Sequence, residues 1–307
     1  MIRTLSLLGL CACCLFVSFS CAPKEGKKTT KVIGVSLLNR GHLFYKDLEE
    51  GLIREAEKSG YELIVTSADF DLGKQISQIE DFVARKVDAI VLCPVDSRGV
   101  GPGVLTATQA GIPVFTADIA AENAPVVCHI ASDNVAGGRL AGEYMAKMLG
   151  GKGAVAIINQ PVVTSVLDRV QGFRDALAQY PGITVVADVN GQGVRDRALQ
   201  AAADVLQAQQ GLRGIFGIND DSALGALDAC EQFRRSDLVI VGYDATPPAR
   251  DAILRGSPLK ADVVQYPDKI GSATIEMIRK HFAGETVPKV FPVEVGLVDA
   301  AQLAAAK

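Results

Sequence analysis

The stretch KVIGVSLLNRGHLFYKDLEEGLIREAEKSGYELIVT, residues 31–66, holds one complete strand–helix–strand unit. Residues 31–38 are almost continuously apolar, the pattern of a strand covered on both faces. Phe44, Leu48, Leu52, Ile53 and Ala56 then recur at helical spacing, and Gly60 stands where a helix C-cap belongs. Residues 61–66 form the next strand. This order brings two strands side by side in parallel, with the helix as the crossover.

The same unit repeats outward. Helical spacing over 75–86 leads to a strand at 89–92, and a helix over 104–110 leads to a strand at 112–116. A second round follows, with helices over 134–149, 167–179, 195–209 and 221–233. Its strands lie at 154–159, 183–187, 214–218, 238–243 and 261–264. The fold class is therefore α/β, in two doubly wound parallel-sheet lobes. A chain of 307 residues is long enough for two such cores.

Composition removes several functional classes. The net charge is −4 and no basic run exceeds the short one at 24–31, so nucleic acid finds no electrostatic footprint. There are only three His, no G-x-S-x-G, no H-E-x-x-H and no phosphate loop, so an enzyme is not expected. Neither a cofactor nor a metal is expected. Of seven cysteines, Cys11, Cys13, Cys14 and Cys21 lie in the first 21 residues; Cys93, Cys128 and Cys230 sit in or beside apolar runs and read as buried thiols.

Those first 21 residues have the form of an export signal. Arg3 supplies a positive start, residues 5–19 are apolar or small, and a polar segment follows at once. The run is too short for a comfortable membrane span. SFSC at 18–21 resembles a bacterial lipoprotein cleavage site, which implies a lipid on Cys21, with residues 22–31 as a hydrated tether.

In doubly wound sheets, ligands bind outside the carboxyl ends of the strands. Arg40, His42, Phe44 and Tyr45 follow the first strand, and Asp118 follows the strand at 112–116. Gln160, Arg169, Asn219, Tyr243, Asp244, Gln265 and Tyr266 hold matching places in the second round. Carboxylates, amides, an Arg and aromatic faces complement the hydroxyls and C–H patches of a polyol. His42 reads as a solvated loop residue, although it or Arg40 is also placed to contribute a polar contact.

HIASDN (129–134) with Gly137-Gly138, NDDSALGA (219–226), VGYDATP (241–247) and QYPDKIG (265–271) occur in this order over residues 31–298. On these motifs the chain resembles the periplasmic sugar-binding proteins of the ribose-binding type. The resemblance implies a two-lobed receptor that closes on a monosaccharide or related polyol and delivers it to an ABC transporter permease, or alternatively to a chemoreceptor or sensor kinase. It implies a monomer, periplasmic or at the cell surface, tethered through Cys21. It implies that Phe44 and Tyr45 sandwich the sugar ring, that Asp118 and Arg169 bind hydroxyls, that Asn219, Asp244 and Gln265 add polar contacts, and that Tyr243 flanks the pocket. It also implies lobes at 31–132 with 266–290 and at 133–265 with 291–307. Three hinge crossings follow, near Ser132-Asp133, Gln265-Tyr266 and Phe291-Pro292, with 291–298 as an end strand of the second lobe. Ile119 stands where the ribose-binding type has Arg, and Leu38 where it has a small polar residue, so the ligand need not be ribose.

Overall fold

The structure, a computed structural model, describes residues 30–305. The leader, Cys21 and nearly all of the tether lie outside the described residues. The first lobe opens with β1 (Lys31–Leu37), α1 (Leu43–Lys58), β2 (Tyr61–Ser67), α2 (Leu72–Ala84), β3 (Ala89–Leu92), α3 (Gly101–Gln109), β4 (Val114–Ala117) and β5 (His129–Ser132). The second lobe runs through α4 (Asn134–Leu149), β6 (Lys152–Asn159), α5 (Thr164–Leu177), β7 (Gly182–Asn190), α6 (Arg195–Ala208), β8 (Leu212–Gly217), α7 (Asp220–Gln232), β9 (Val239–Asp244), α8 (Pro247–Leu254) and β10 (Leu259–Val264). The chain then returns with α9 (Pro267–Phe282) and β11 (Val290–Val293), and ends with β12 (Gly296–Asp299) and α10 (Ala300–Ala305).

Two six-stranded sheets result, in the orders β11-β5-β4-β3-β1-β2 and β12-β10-β9-β8-β6-β7. Every pairing is parallel except β10 with β12. The two-lobed α/β architecture expected from the sequence is the one observed. Ile33, Val35 and Leu37 of β1 are fully buried, as a strand covered on both faces requires. His42 caps α1, its Nδ1 accepting from Phe44 N at 3.2 Å, and the apolar stripe Phe44, Leu48, Leu52 and Ala56 is buried.

Both lobes use the same packing device, in which a glycine on one helix meets the backbone of the next. A Cβ on Gly138 of α4 would lie 2.0 Å from the Arg169 carbonyl oxygen of α5, and one on Gly172 of α5 would lie 2.0 Å from that of Val135. In the first lobe, Gly51 of α1 and Gly271 of α9 do the same, at 2.2 Å from Asp268 O and 2.3 Å from Leu48 O.

One boundary differs from the sequence expectation. The single end strand over 291–298 is two strands in two sheets: Val290–Val293 pairs with β5 of the first, and Gly296–Asp299 with β10 of the second. The third crossing therefore runs through Glu294-Val295, not Phe291-Pro292. Helices α8 and α10 and the short β5 were not assigned from the pattern. Cys93, Cys128 and Cys230 are buried free thiols; burial pushes Cys128 up to about 11 and Cys230 up to about 12.

Candidate functional site

The carboxyl ends of both sheets face a common cleft with about 470 Å³ of space between its walls, including its opening to solvent. The loop after β1 and the first turn of α1 contribute Leu38, His42, Phe44 and Tyr45; Phe70 follows β2, and Asp118 and Ile119 follow β4. From the second lobe come Gln160 after β6, Val163, Ser165, Val166 and Arg169 at the start of α5, and Gly193 after β7. Ile218 and Asn219 after β8, Asp244 at the end of β9, and Gln265 after β10 complete the lining.

Seven of the eight expected side chains thus line one cavity. The exception is Tyr243. It is fully buried behind the wall, its ring centroid 4.0 Å from the Arg169 guanidinium and its hydroxyl donating to Asn134 Oδ1 at 3.3 Å. Strand alternation gives the reason: neighbouring residues of β9 point to opposite faces, so Asp244 in the cleft puts Tyr243 behind it.

Arg169 is held from several sides. Its Nε donates to Asn134 Oδ1 at 2.8 Å and its Nη1 to the Ile218 carbonyl at 2.9 Å, with Asp244 Oδ1 4.0 Å from Nη1. Asp244 Oδ1 accepts from Gln265 Nε2 at 2.6 Å. Asn219 caps α7, accepting from Ser222 N at 2.9 Å and donating to the Gly193 carbonyl at 3.0 Å.

In the first lobe, the Tyr45 hydroxyl donates to Asp118 Oδ2 at 2.7 Å. Asp118 Oδ1 and Gln265 Oε1 are buried with no hydrogen-bond partner among the described residues, and both belong to cavity-lining residues. These acceptors are the free bonding capacity of the site. Burial pushes Asp118 up to about 6, against the downward pull of Arg169 and the Tyr45 hydroxyl. Burial, then Asp118, pushes the Tyr45 phenol well above its ordinary value.

Two expectations change. Phe44 and Tyr45 do not form the two faces of a sandwich. Their rings meet edge to face, 5.2 Å apart at 81°, because consecutive helical residues diverge around the axis. They make one corner, and the second lobe adds the aliphatic side chains of Val163, Val166 and Ile218 to its polar ones. Nor is His42 a solvated loop residue. Its side chain is 13% exposed and reaches the other lobe, with Nε2 3.7 Å from Asp221 Oδ2 and 3.9 Å from Asp244 Oδ2. Arg40 is turned away, paired with Glu49 through Nε at 2.8 Å. Phe70, absent from the sequence-based site, sits in the left-handed region at φ 63°; the strand-end rule applied to β2 points to it.

Contacts between the lobes also join at the rim. Ala120 N donates to Thr164 Oγ1 at 3.1 Å, Thr164 N to Ser97 Oγ at 3.1 Å, and Ser97 N to the Val162 carbonyl at 3.3 Å. The lobes are therefore closed over the cavity.

Comparison with known proteins agrees with this arrangement. A periplasmic binding protein domain model matches residues 33–286. The ribose import binding protein RbsB of Escherichia coli (strain K12) is 37% identical over 273 residues, which cover 88% of this chain and 90% of that one. A solved ABC transporter solute binding protein from Mycobacterium smegmatis, with bound glycerol, superposes with a TM-score of 0.85 at 32% identity, covering 90% of this chain and 96% of the other. A periplasmic solute binding protein from Actinobacillus succinogenes 130z, with bound D-allose, gives 0.82 at 29% identity, covering 90% and 99%.

Proposed function

The chain belongs to the periplasmic binding protein domain family, and from that premise we propose that it is the substrate-binding component of an ABC importer, closing on a monosaccharide or related polyol. The observation that carries this reading is the convergence of Asp118, Arg169, Asp244 and Gln265 on one cavity beside the Phe44–Tyr45 corner. Acceptors that lack a protein partner suit hydroxyl donors, and ring edges and aliphatic walls suit C–H faces. Asp118, Arg169, Asn219, Asp244 and Gln265 are the polar ligand contacts in this reading; Phe44 and Tyr45 are the apolar ones, and Tyr243 supports Arg169 from behind. Leu38 and Ile119 favour a ligand with fewer hydroxyls on that side than ribose. Cys21 carries the lipid that holds the exported receptor at the membrane. Palmitate labelling that persists in Cys21→Ala would overturn that part.

Closure couples binding to delivery. A ligand touching both lobes favours the closed form by its differential affinity for it. The Thr164 latch adds to that preference. Thr164→Val, which leaves Ala120 N without its acceptor, is expected to raise Kd about 3- to 10-fold, mainly through faster release. Stopped-flow release measured on both proteins checks this, and an unchanged off-rate would contradict it.

The state of Asp118 gives a pH prediction with two opposite signs. Its folded value lies above the unfolded one, so its contribution to stability is present at low pH and is lost as pH rises through about 6. A hydroxyl donor needs the carboxylate, so affinity falls as pH drops below about 6. Calorimetric titrations across this window are expected to show weakening toward acid while the ligand-free protein does not lose the Asp118 contribution. Constant affinity down to about pH 4 would remove Asp118 from the contact set.

A further inference from the structure

Behind Asp244 lie two carboxyls that the ligand contacts do not use. Asp220, the first residue of α7, is 2% exposed, and Asp262, in the middle of β10, is fully buried. Three of the bonds they accept hold one short turn. Asp220 Oδ2 accepts from Thr246 N at 2.6 Å and from the Thr246 hydroxyl at 2.5 Å, and Asp262 Oδ1 accepts from Ala245 N at 3.0 Å. The turn needs holding, because Asp244 and Ala245 sit at φ 120° and 57°, where residues with a Cβ are disfavoured. Asp220 N also faces Asp244 Oδ2 at 3.4 Å.

The remaining oxygens, Asp220 Oδ1 and Asp262 Oδ2, are buried with no hydrogen-bond partner among the described residues, and the two carboxyls converge on adjacent residues of one turn, Thr246 and Ala245, close enough to interact with each other. Two carboxylate oxygens are both acceptors, so such a contact is stable only with a proton between them. A glycine at 242 leaves room for it: a Cβ there would lie 2.4 Å from Asp262 Oδ2.

We propose that Asp220 and Asp262 share one proton, and that this carboxyl pair is the positioning device that fixes the turn 244–246 and so aims Asp244 into the cleft. Loss of that proton to solvent leaves two negative charges in contact and strains the bonds to Ala245 and Thr246. The other charged groups around the pair act unequally. Asp244 on β9 opposes ionisation of both. Arg250 of α8 donates to the Ala245 carbonyl at 2.6 Å; Arg169 of α5 and His42 face Asp244 from its far side, with Asp221 beyond. Burial, then Asp244, pushes Asp220 up to about 7, and burial, then Asp220, pushes Asp262 well above the usual carboxylate range. Values raised in the folded state mean stability that is present at low pH and lost as pH rises through them, so the turn loosens toward alkali.

The test uses the ligand-free protein, so it is independent of the proposed sugar; only the aiming of Asp244 at a ligand rests on the function proposed above. At about pH 8 the wild type is expected to show the infrared carbonyl band of a neutral carboxylic acid, and Asp262→Asn to lack it. The amide of Asp262→Asn donates to Asp220 without a proton to lose. Its melting temperature is therefore expected to stay nearly flat from about pH 7 to 9.5, where the wild type declines. Asp262→Ala is expected to melt lower at every pH, because Ala245 N loses its acceptor. Absence of the neutral-acid band in the wild type, which needs no variant, would overturn the proposal. So would an alkaline decline in Asp262→Asn equal to that of the wild type.

Discussion

Arg169→Ala is expected to abolish detectable ligand binding and to destabilise the protein by about 3–5 kcal/mol. The sequence alone reads Arg169 as a ligand contact and nothing more. The structure makes it part of the wall. Its guanidinium is buried, bonds Asn134 and the Ile218 carbonyl, lies over Tyr243, and stands 4.0 Å from Asp244 Oδ1. Truncation leaves the Ile218 carbonyl unpaired and Asp244 without that cation, and each is costly in a buried site. Arg169→Lys keeps the charge and loses the planar fork, so it is expected to fall between the two. Urea unfolding monitored beside calorimetric titration separates the effects. Arg169→Ala with wild-type stability would show that the wall does not depend on this side chain. Arg40→Ala is the control: Arg40 is half exposed but its partner Glu49 is only 11% exposed, so a loss of about 1–3 kcal/mol, smaller than for Arg169, is expected.

Gly138→Val is expected to be at least as damaging, by a route that involves no ligand contact. The atoms it would meet are backbone: the Arg169 carbonyl at 2.0 Å and Phe173 N at 2.9 Å. Backbone cannot rotate aside, so α4 and α5 must part. The contact is reciprocal through Gly172, and α5 carries Arg169, Val163 stands at its N-cap, and Thr164 begins it. A loss of about 3–5 kcal/mol is expected, with binding lost in the same step. Gly60→Ala provides the contrast. Gly60 has φ +68° and nothing near its missing Cβ, so only the left-handed backbone is penalised, at about 1 kcal/mol. If the two variants melted alike, conformational freedom and not close approach would explain Gly138.

Much of the fold was legible because parallel strands buried on both faces leave nearly unbroken apolar runs, and the helices between them carry their own spacing. All eight expected site residues stand in the longer set that the strand-end rule marks, the resemblance to the ribose-binding type picks them out of it, and seven of them line the cavity. The failures have local causes. Phe291, Val293, Val295 and Leu297 keep a strand-like alternation straight across a hinge, so the residue pattern holds no sign that the chain changes sheets at Glu294-Val295. The start of α8 reads as a turn because two prolines follow Thr246, although proline is also well suited to a first helical turn. His42 was assigned to solvent since nothing in one lobe's sequence tells which groups the other lobe brings to it. Tyr243 was recoverable: alternation along β9 already sets it opposite Asp244. Asp262 was recoverable too, as a carboxylate inside a buried strand, but its meaning depends on Asp220, 42 positions earlier.

The central claim is that the cleft between the two sheets receives a monosaccharide or related polyol. Its most direct measurement is a thermal-shift screen of purified protein against sugars, sugar alcohols and nucleosides, run in parallel on Asp244→Asn. A saturable rise in melting temperature is expected with at least one monosaccharide or polyol, at about micromolar affinity or tighter, and its loss is expected in Asp244→Asn. A shift only with an amino acid or peptide, or a sugar shift that Asp244→Asn retains in full, would contradict it.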